Sequence, residues 1–257
     1  MRAVIITIAG VSSRFNEGLP LQEHSHKSIY HEGDRRNTLL YHLLEKCRFA
    51  DRIILVGGSC FDEVKEYCSS LPVAVKEKIK LVYNEHYADL ASGYSLYLGL
   101  SSLFEEENNY QELLFVEGDL DIDRESFQKA VDCPGDVISY SYEPIYASKA
   151  VVLYQNAEGR YRYAFNSSHG LLQITEPFSR ILNSGQMWKF TNMDLLQRAN
   201  RKFYQEEKDG TNLRIIQNYL DNRRPEDITV VGLLRWTNCN TRQDYKKILA
   251  YWEGEAK

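Results

Sequence analysis

Apolar residues recur along this chain in two alternating rhythms. Arg2–Ala9 is a run of β-branched and apolar residues with little polar alternation, which predicts a strand buried on both faces. Residues 37–47 carry Leu39, Leu40, Leu43 and Leu44 at helical spacing. Arg52–Val56 is the next short apolar run and stops at Gly57-Gly58. Phe61, Val64 and Cys68 share one face of a helix predicted over Phe61–Ser69. A third strand is predicted at Ile79–Tyr83, a helix at Ser95–Phe104, and a fourth strand at Leu113–Val116, ending in Glu117-Gly118-Asp119.

Strand and helix thus alternate at least three times in the first 120 residues. That order predicts βαβ units and a Rossmann-like α/β fold, with a mostly parallel sheet and helices on both faces. The second half is less regular. Val137–Tyr142, Ala150–Tyr154, Tyr161–Phe165 and Thr229–Trp236 read as strands. Asn192–Tyr204, Leu213–Leu220 and Gln243–Trp252 read as helices. Neither a linker rich in Pro, Gly or Ser nor an internal repeat divides the chain, so a single domain over residues 1–257 is expected, its second half completing the sheet.

Composition narrows the function classes. A length of 257 residues is enough to bury a sizeable core. Thirty-one basic against thirty-six acidic residues give a formal charge of −5, which argues against a nucleic-acid binder with a basic face. No apolar run approaches the roughly 18 residues of a membrane span. The first apolar stretch is too short for a signal-peptide core. The five cysteines, Cys47, Cys60, Cys68, Cys133 and Cys239, include no C-x-x-C pair and fit reduced thiols, so a cytoplasmic location is expected.

In parallel sheets of this kind ligands bind outside the carboxyl ends of the strands, so the segments just after strands are where chemistry is expected. The first strand runs into Ala9-Gly10-Val11-Ser12-Ser13-Arg14. Small residues there let backbone N–H groups approach phosphates, and Arg14 adds a cationic fork. Lys27 follows thirteen residues later. Asp119, at the end of the fourth strand, is placed to hold Mg²⁺ against a triphosphate. Asp121 and Asp123 offer further carboxylates; the alternative is an Asp-rich turn capping a helix that starts near Arg124.

With these residues in hand, the chain resembles the nucleotidyltransferases that join an NTP to a phosphorylated acceptor. Gly10–Arg14, Lys27 and Glu117-Gly118-Asp119 carry that resemblance. Tyr83-Asn84-Glu85-His86-Tyr87 with Ser92-Gly93-Tyr94-Ser95-Leu96, then Asn183–Trp188, then Asn240–Tyr245, are similar to segments of bacterial CTP:phosphocholine cytidylyltransferases, in the same order. The resemblance implies the nucleotide-diphospho-sugar transferase type of fold. It implies a nucleotide-binding half over about residues 1–123 and an acceptor-binding half over about 124–257. Arg14 and Lys27 would bind the triphosphate and act in catalysis. Ala9, Gly10, Val11, Ser12, Ser13, Asn84, Ser92 and Glu117 would line the nucleotide pocket. Asp119 and Asn240 would hold Mg²⁺.

The implied activity is transfer of CMP from CTP to phosphocholine or a similar small phosphorylated alcohol, with release of pyrophosphate. The alternatives are a sugar-1-phosphate or molybdopterin nucleotidylyltransferase, and a nucleotide-binding relative without turnover. Three positions depart from the family pattern. Ser12 stands for a glycine, and its β-carbon is expected to crowd a phosphate. His26 precedes the lysine in place of proline. Asn240 replaces an aspartate and offers a neutral oxygen. For a cationic acceptor, Tyr142, Trp188 and Trp236, with Tyr140 nearby, are the candidate aromatic faces, and Glu143 or Asp194 a candidate carboxylate.

Overall fold

The unbroken apolar run near the start of the chain becomes the centre of the molecule. In the computed structural model, which describes residues 1–146, 151–164 and 172–255, it forms β1 (Arg2–Ile8). The chain continues through α1 (Leu39–Lys46), β2 (Arg52–Gly57), α2 (Phe61–Ser69), α3 (Val73–Lys76), β3 (Ile79–Tyr83), α4 (Ser92–Phe104) and β4 (Glu112–Glu117). Then come β5 (Leu120–Ile122), α5 (Arg124–Asp132), β6 (Asp136–Ser141), β7 (Val152–Asn156), β8 (Tyr161–Tyr163) and β9 (Phe178–Phe190). The last elements are α6 (Met193–Glu206), α7 (Asn212–Leu220), β10 (Ile228–Leu233), β11 (Trp236–Asn238) and α8 (Arg242–Glu255).

β1 pairs in parallel with β2 on one side and β4 on the other, and β3 extends the parallel block beyond β2. The full order is β10-β6-β9-β4-β1-β2-β3, with β7 attached to β9 and β8 to β7. Successive side chains of β1 point to opposite faces. Val4, Ile6 and Ile8 meet Leu40, Leu43 and Leu44 of α1, Val64 of α2 and Phe127 of α5. Ala3 and Ile5 meet Leu96 and Leu100 of α4, Phe203 of α6 and Ile216 of α7. The expected α/β architecture, helices on both faces of a Rossmann-like sheet, is therefore present.

Polar residues start several of these helices. Thr38 accepts from the Tyr41 amide at 3.0 Å, Asp123 from Ser126 at 2.8 Å, and Asn192 from Leu195 at 2.9 Å. Each satisfies an amide that the first helical turn leaves unpaired.

Three expectations need correction. β9 was legible only as a short stretch around Asn183–Trp188, yet it is 13 residues long and runs antiparallel between β4 and β6. Its second half is buried on both faces and shows no alternation. The strand expected over Thr229–Trp236 is two strands: it breaks after Leu233, and Trp236–Asn238 pairs with β5 in a separate antiparallel ribbon. Ala150 and Phe165, the expected limits of two further strands, lie outside the described residues.

The third correction concerns Trp188, expected to offer its face to an acceptor. It is 1% exposed. Its ring stacks on Phe115 with centroids 5.1 Å apart, and its indole N–H donates to the Tyr163 hydroxyl at 2.6 Å. Both ring face and polar edge are used within the core. We expect Trp188→Ala to destabilise the protein by about 3–5 kcal/mol, through lost packing and loss of the indole bond to the Tyr163 hydroxyl. Urea unfolding monitored by circular dichroism measures this; a change below about 1 kcal/mol would place Trp188 outside the core.

Candidate functional site

β1, β2 and β4 run in the same direction, so their carboxyl ends share one edge of the sheet. A cavity of about 220 Å³ opens there. The loop after β1 forms one wall with Ala9 and Gly10, and His26, Lys27 and Ser28 form a second. The segment after β3 contributes Asn84, Tyr87 and Ser92, and Glu117 and Asp119 come from the end of β4. Close packing lets β4 end here: a β-carbon on Gly118 would lie 2.2 Å from Ile8 Cγ2 and 3.0 Å from the Thr7 carbonyl. Gly118 is thus required by the neighbouring strand.

The loop after β1 continues past the cavity wall through exposed Val11 and Ser13 to exposed Arg14. Ser12 has φ of +55°, a left-handed conformation that favours glycine. Its hydroxyl turns inward and accepts from the Lys27 amide at 3.2 Å. Asn16 adds a reciprocal pair with Ser25: its amide donates to the Ser25 carbonyl and its oxygen accepts from the Ser25 amide, both at 3.0 Å. Ser12 therefore helps to hold Lys27 in place.

At the centre, Lys27 Nζ lies 2.7 Å from Asp119 Oδ2, with both side chains under one-fifth exposed. Beside them, Arg14 Nη2 donates to Asn240 Oδ1 at 2.8 Å. The Cys239 amide donates to the Asp119 carbonyl at 2.8 Å, which brings the segment carrying Asn240 alongside Asp119. Each residue proposed to bind phosphate is thus paired with one proposed to bind metal, although 92 and 226 positions separate the partners in sequence.

The donor set fits a divalent cation that arrives with phosphate ligands. Asp119 Oδ1 is buried and has no hydrogen-bond partner, a costly state that a cation would relieve. Asp119 and the neutral oxygen of Asn240 are the groups available to it. Asp121 and Asp123, read as alternative ligands, are otherwise engaged. Asp123 caps α5 and also accepts from the Arg235 amide at 3.0 Å. Asp121 is fully buried against Lys46, Arg235 and Trp252. Among the described residues no group of three or more His, Cys, Asp or Glu side chains is arranged to hold a metal.

Glu117 lies at the cavity floor. Its carboxylate accepts from Asn212 Nδ2 and Gln186 Nε2, both at 2.7 Å. Burial, with the nearby Asp119 charge, pushes its pKa up to about 7. Sequence reasoning missed Gln186 and Asn212. Gln186 sits at the irregularity in the β6–β9 pairing with φ of +55°, and Asn212 opens α7; only the tertiary fold brings them to Glu117. Asn84 is held within the protein at both ends of its carboxamide: its nitrogen donates to Ser95 Oγ and its oxygen accepts from the His86 amide, each at 2.9 Å. Ser92 opens α4 and accepts from the Asn212 amide.

The acceptor-side residues divide. Tyr142 is 63% exposed, and the Tyr140 hydroxyl donates to its hydroxyl at 3.1 Å at the carboxyl end of β6. Trp236 is half-buried and donates to the Gly185 carbonyl at 2.8 Å. Trp188 belongs to the core. Glu143 is exposed just beyond β6, and Asp194 is exposed in the first turn of α6.

Fold and site together describe a Rossmann-like α/β sheet with a cavity at the carboxyl edge of its parallel strands. Residues 23–252 match a family described as a domain of unknown function, DUF6564, and the chain belongs to that family. No curated protein matches the sequence. The fold is similar to that of CTP:phosphocholine cytidylyltransferase from Streptococcus pneumoniae, at 16% identity over 98% of this chain and 99% of that one, with a TM-score of 0.61. An inositol-1-phosphate CTP transferase from T. maritima is 15% identical over 97% of this chain and 94% of its own, with a TM-score of 0.65. A UDP-glucose pyrophosphorylase is 11% identical over 99% of each chain, with a TM-score of 0.67.

His26 gives the site a testable signature. Burial pushes its pKa down to about 4, from an ordinary 6.5, so the folded protein holds it neutral. Between pH 6.5 and 4 the unfolded chain takes up a proton that the fold refuses, so stability falls as pH falls through this window. The full contribution is on the order of 3 kcal/mol. Asn at this position retains an acceptor for the Ser28 amide, which now donates to His26 Nδ1 at 3.3 Å. We expect His26→Asn to flatten the pH dependence of unfolding free energy in this range. An unchanged slope would show that His26 titrates normally in the fold.

Proposed function

We propose that this protein is a Mg²⁺-dependent nucleotidyltransferase that transfers CMP from CTP to phosphocholine or a similar small phosphorylated alcohol. The observation that carries this reading is the double pairing of Lys27 with Asp119 and of Arg14 with Asn240 at the carboxyl edge of the sheet. It concentrates two cations and two oxygen ligands beside a cavity. The choice of CTP follows the segments similar to cytidylyltransferases; the similar folds include two CTP-directed enzymes and a UDP-glucose pyrophosphorylase alike.

In this reading the triphosphate takes Lys27 and Arg14 as partners, and Asp119 and Asn240 are released to hold the cation. Magnesium bound there supplies Lewis-acid stabilisation of charge on the α-phosphate and the leaving pyrophosphate. The acceptor phosphate, already ionised near neutral pH, attacks the α-phosphorus in line; the P–O bond to pyrophosphate breaks and its electron pair leaves with pyrophosphate. No general base is required, and catalysis rests on positioning and charge. Tyr140 and Tyr142 present aromatic surface on the same sheet edge, suited to a quaternary ammonium head group.

Pyrophosphate release, measured with each of four NTPs against phosphocholine, other phospho-alcohols and sugar-1-phosphates, tests the assignment. CTP with a phospho-alcohol should be the best pair. Tight CTP binding with no release across the panel would make the protein a nucleotide-binding relative without turnover. Arg14→Ala and Lys27→Ala should each lower kcat/KM by roughly 10²-fold. Near-wild-type turnover in both folded variants would remove the phosphate site.

Because Asp119 is occupied by Lys27, Mg²⁺ should bind weakly to the free protein and well with a non-hydrolysable CTP analogue present. Calorimetry decides this. Tight binding to the free protein that survives Asp119→Asn would mean the cation sits elsewhere.

A further inference from the structure

The β5–β11 ribbon is only three residue pairs long: Trp236 opposite Ile122, Thr237 opposite Asp121, and Asn238 opposite Leu120. So short a two-stranded ribbon cannot hold its own position. Asp119 immediately precedes β5 and Asn240 lies two residues beyond β11, so both proposed cation ligands hang on its open end. Something outside the ribbon has to locate it.

We propose that Asp121 is the positioning residue that anchors this ribbon, and with it the pair Asp119–Asn240; the inference rests on the nucleotidyltransferase reading. The Asp121 side chain has no solvent exposure, and donors from three directions converge on it. Lys46, at the end of α1, lies 3.5 Å from Oδ1. Trp252, near the end of α8, donates through its indole N–H to Oδ1 at 3.0 Å. Arg235, at the root of the ribbon, contacts Oδ2.

The root is further closed by Asp123, whose amide donates to the Arg235 carbonyl at 3.1 Å and whose carboxylate accepts from the Arg235 amide at 3.0 Å. The open end is closed by the bond from the Cys239 amide to the Asp119 carbonyl. Asp121 therefore ties the middle of the ribbon to α1 and α8, between two backbone clasps. A buried carboxylate with two cations is a poor route to stability alone, since apolar packing often serves as well. What it supplies is direction, because each donor fixes one approach to the carboxylate.

Asp121→Asn keeps an acceptor for Trp252 and removes the charge that holds Lys46 and Arg235. Two readouts separate positioning from stability. Hydrogen exchange at the Cys239 amide reports the ribbon directly and should speed by roughly tenfold or more, while amides of β1 and β4 keep their protection. Mn²⁺ affinity for the complex with a non-hydrolysable CTP analogue, read by electron paramagnetic resonance, should fall by about tenfold or more. Analogue affinity without metal should stay within about twofold, because the ribbon supplies no phosphate cation.

Trp252→Phe keeps the ring that stacks on His42 at 3.7 Å but removes one donor. It should shift both readouts in the same direction by less, and it serves if Asp121→Asn does not fold. Unchanged Cys239 exchange in a folded variant overturns the assignment. So does faster exchange with unchanged Mn²⁺ affinity. If the wild-type protein takes up no nucleotide, the functional reading falls instead, and the exchange measurement alone decides whether Asp121 anchors the ribbon.

Discussion

The organisation of the sheet edge depends on the ion pair between Lys27 and Asp119. A carboxylate drawn in at the end of β4 needs a counter-charge. Lys27 supplies it from the long loop between β1 and α1, in which Leu21–Glu23 forms a 3-10 turn. That loop is held by the Ser12 hydroxyl on the Lys27 amide and by the reciprocal Asn16–Ser25 bonds. The Ser28 hydroxyl completes the seam by donating to the Gly118 carbonyl at 3.1 Å. Loop and strand end therefore fix each other.

The antiparallel strand β9 gives the site its second side. By pairing with both β4 and β6, it separates two strands that point the same way. Their carboxyl ends form two stations along one edge, Glu117 and Asp119 at one and Tyr140 and Tyr142 at the other. Gln186, near the middle of β9, ties the first station to β11 by donating to Glu117 and accepting from Asn238 at 3.3 Å.

Much of this was legible wherever a residue's role follows from its local segment. The strands and helices of the first 120 residues declare themselves by rhythm, because each buries one face or both against the same sheet. Asp119 was expected at a strand end and Lys27 in the loop after the first strand, and the structure brings the two side chains into contact there. The limits were tertiary. Nothing in the residues around Trp188 indicates that its indole faces Tyr163 rather than solvent. Nothing local marks Asn212 as a partner of Glu117, 95 positions away. Ser12 shows the reverse error: a side chain expected to obstruct a ligand faces the protein, because its left-handed backbone turns it inward.

The pairing of Arg14 with Asn240 and of Lys27 with Asp119 has a kinetic consequence. Lys27 is neutralised at contact distance by Asp119, whereas exposed Arg14 keeps its charge beside the neutral Asn240, and the chain as a whole carries a net charge of −5. A polyanion approaching this edge therefore meets one exposed cation rather than an uncovered basic cleft. On the proposed reading, capture of a triphosphate includes an exchange of partners after encounter, in which a phosphate oxygen replaces the Asp119 carboxylate on Lys27, and selection falls to the lifetime of the bound state rather than to the frequency of collision.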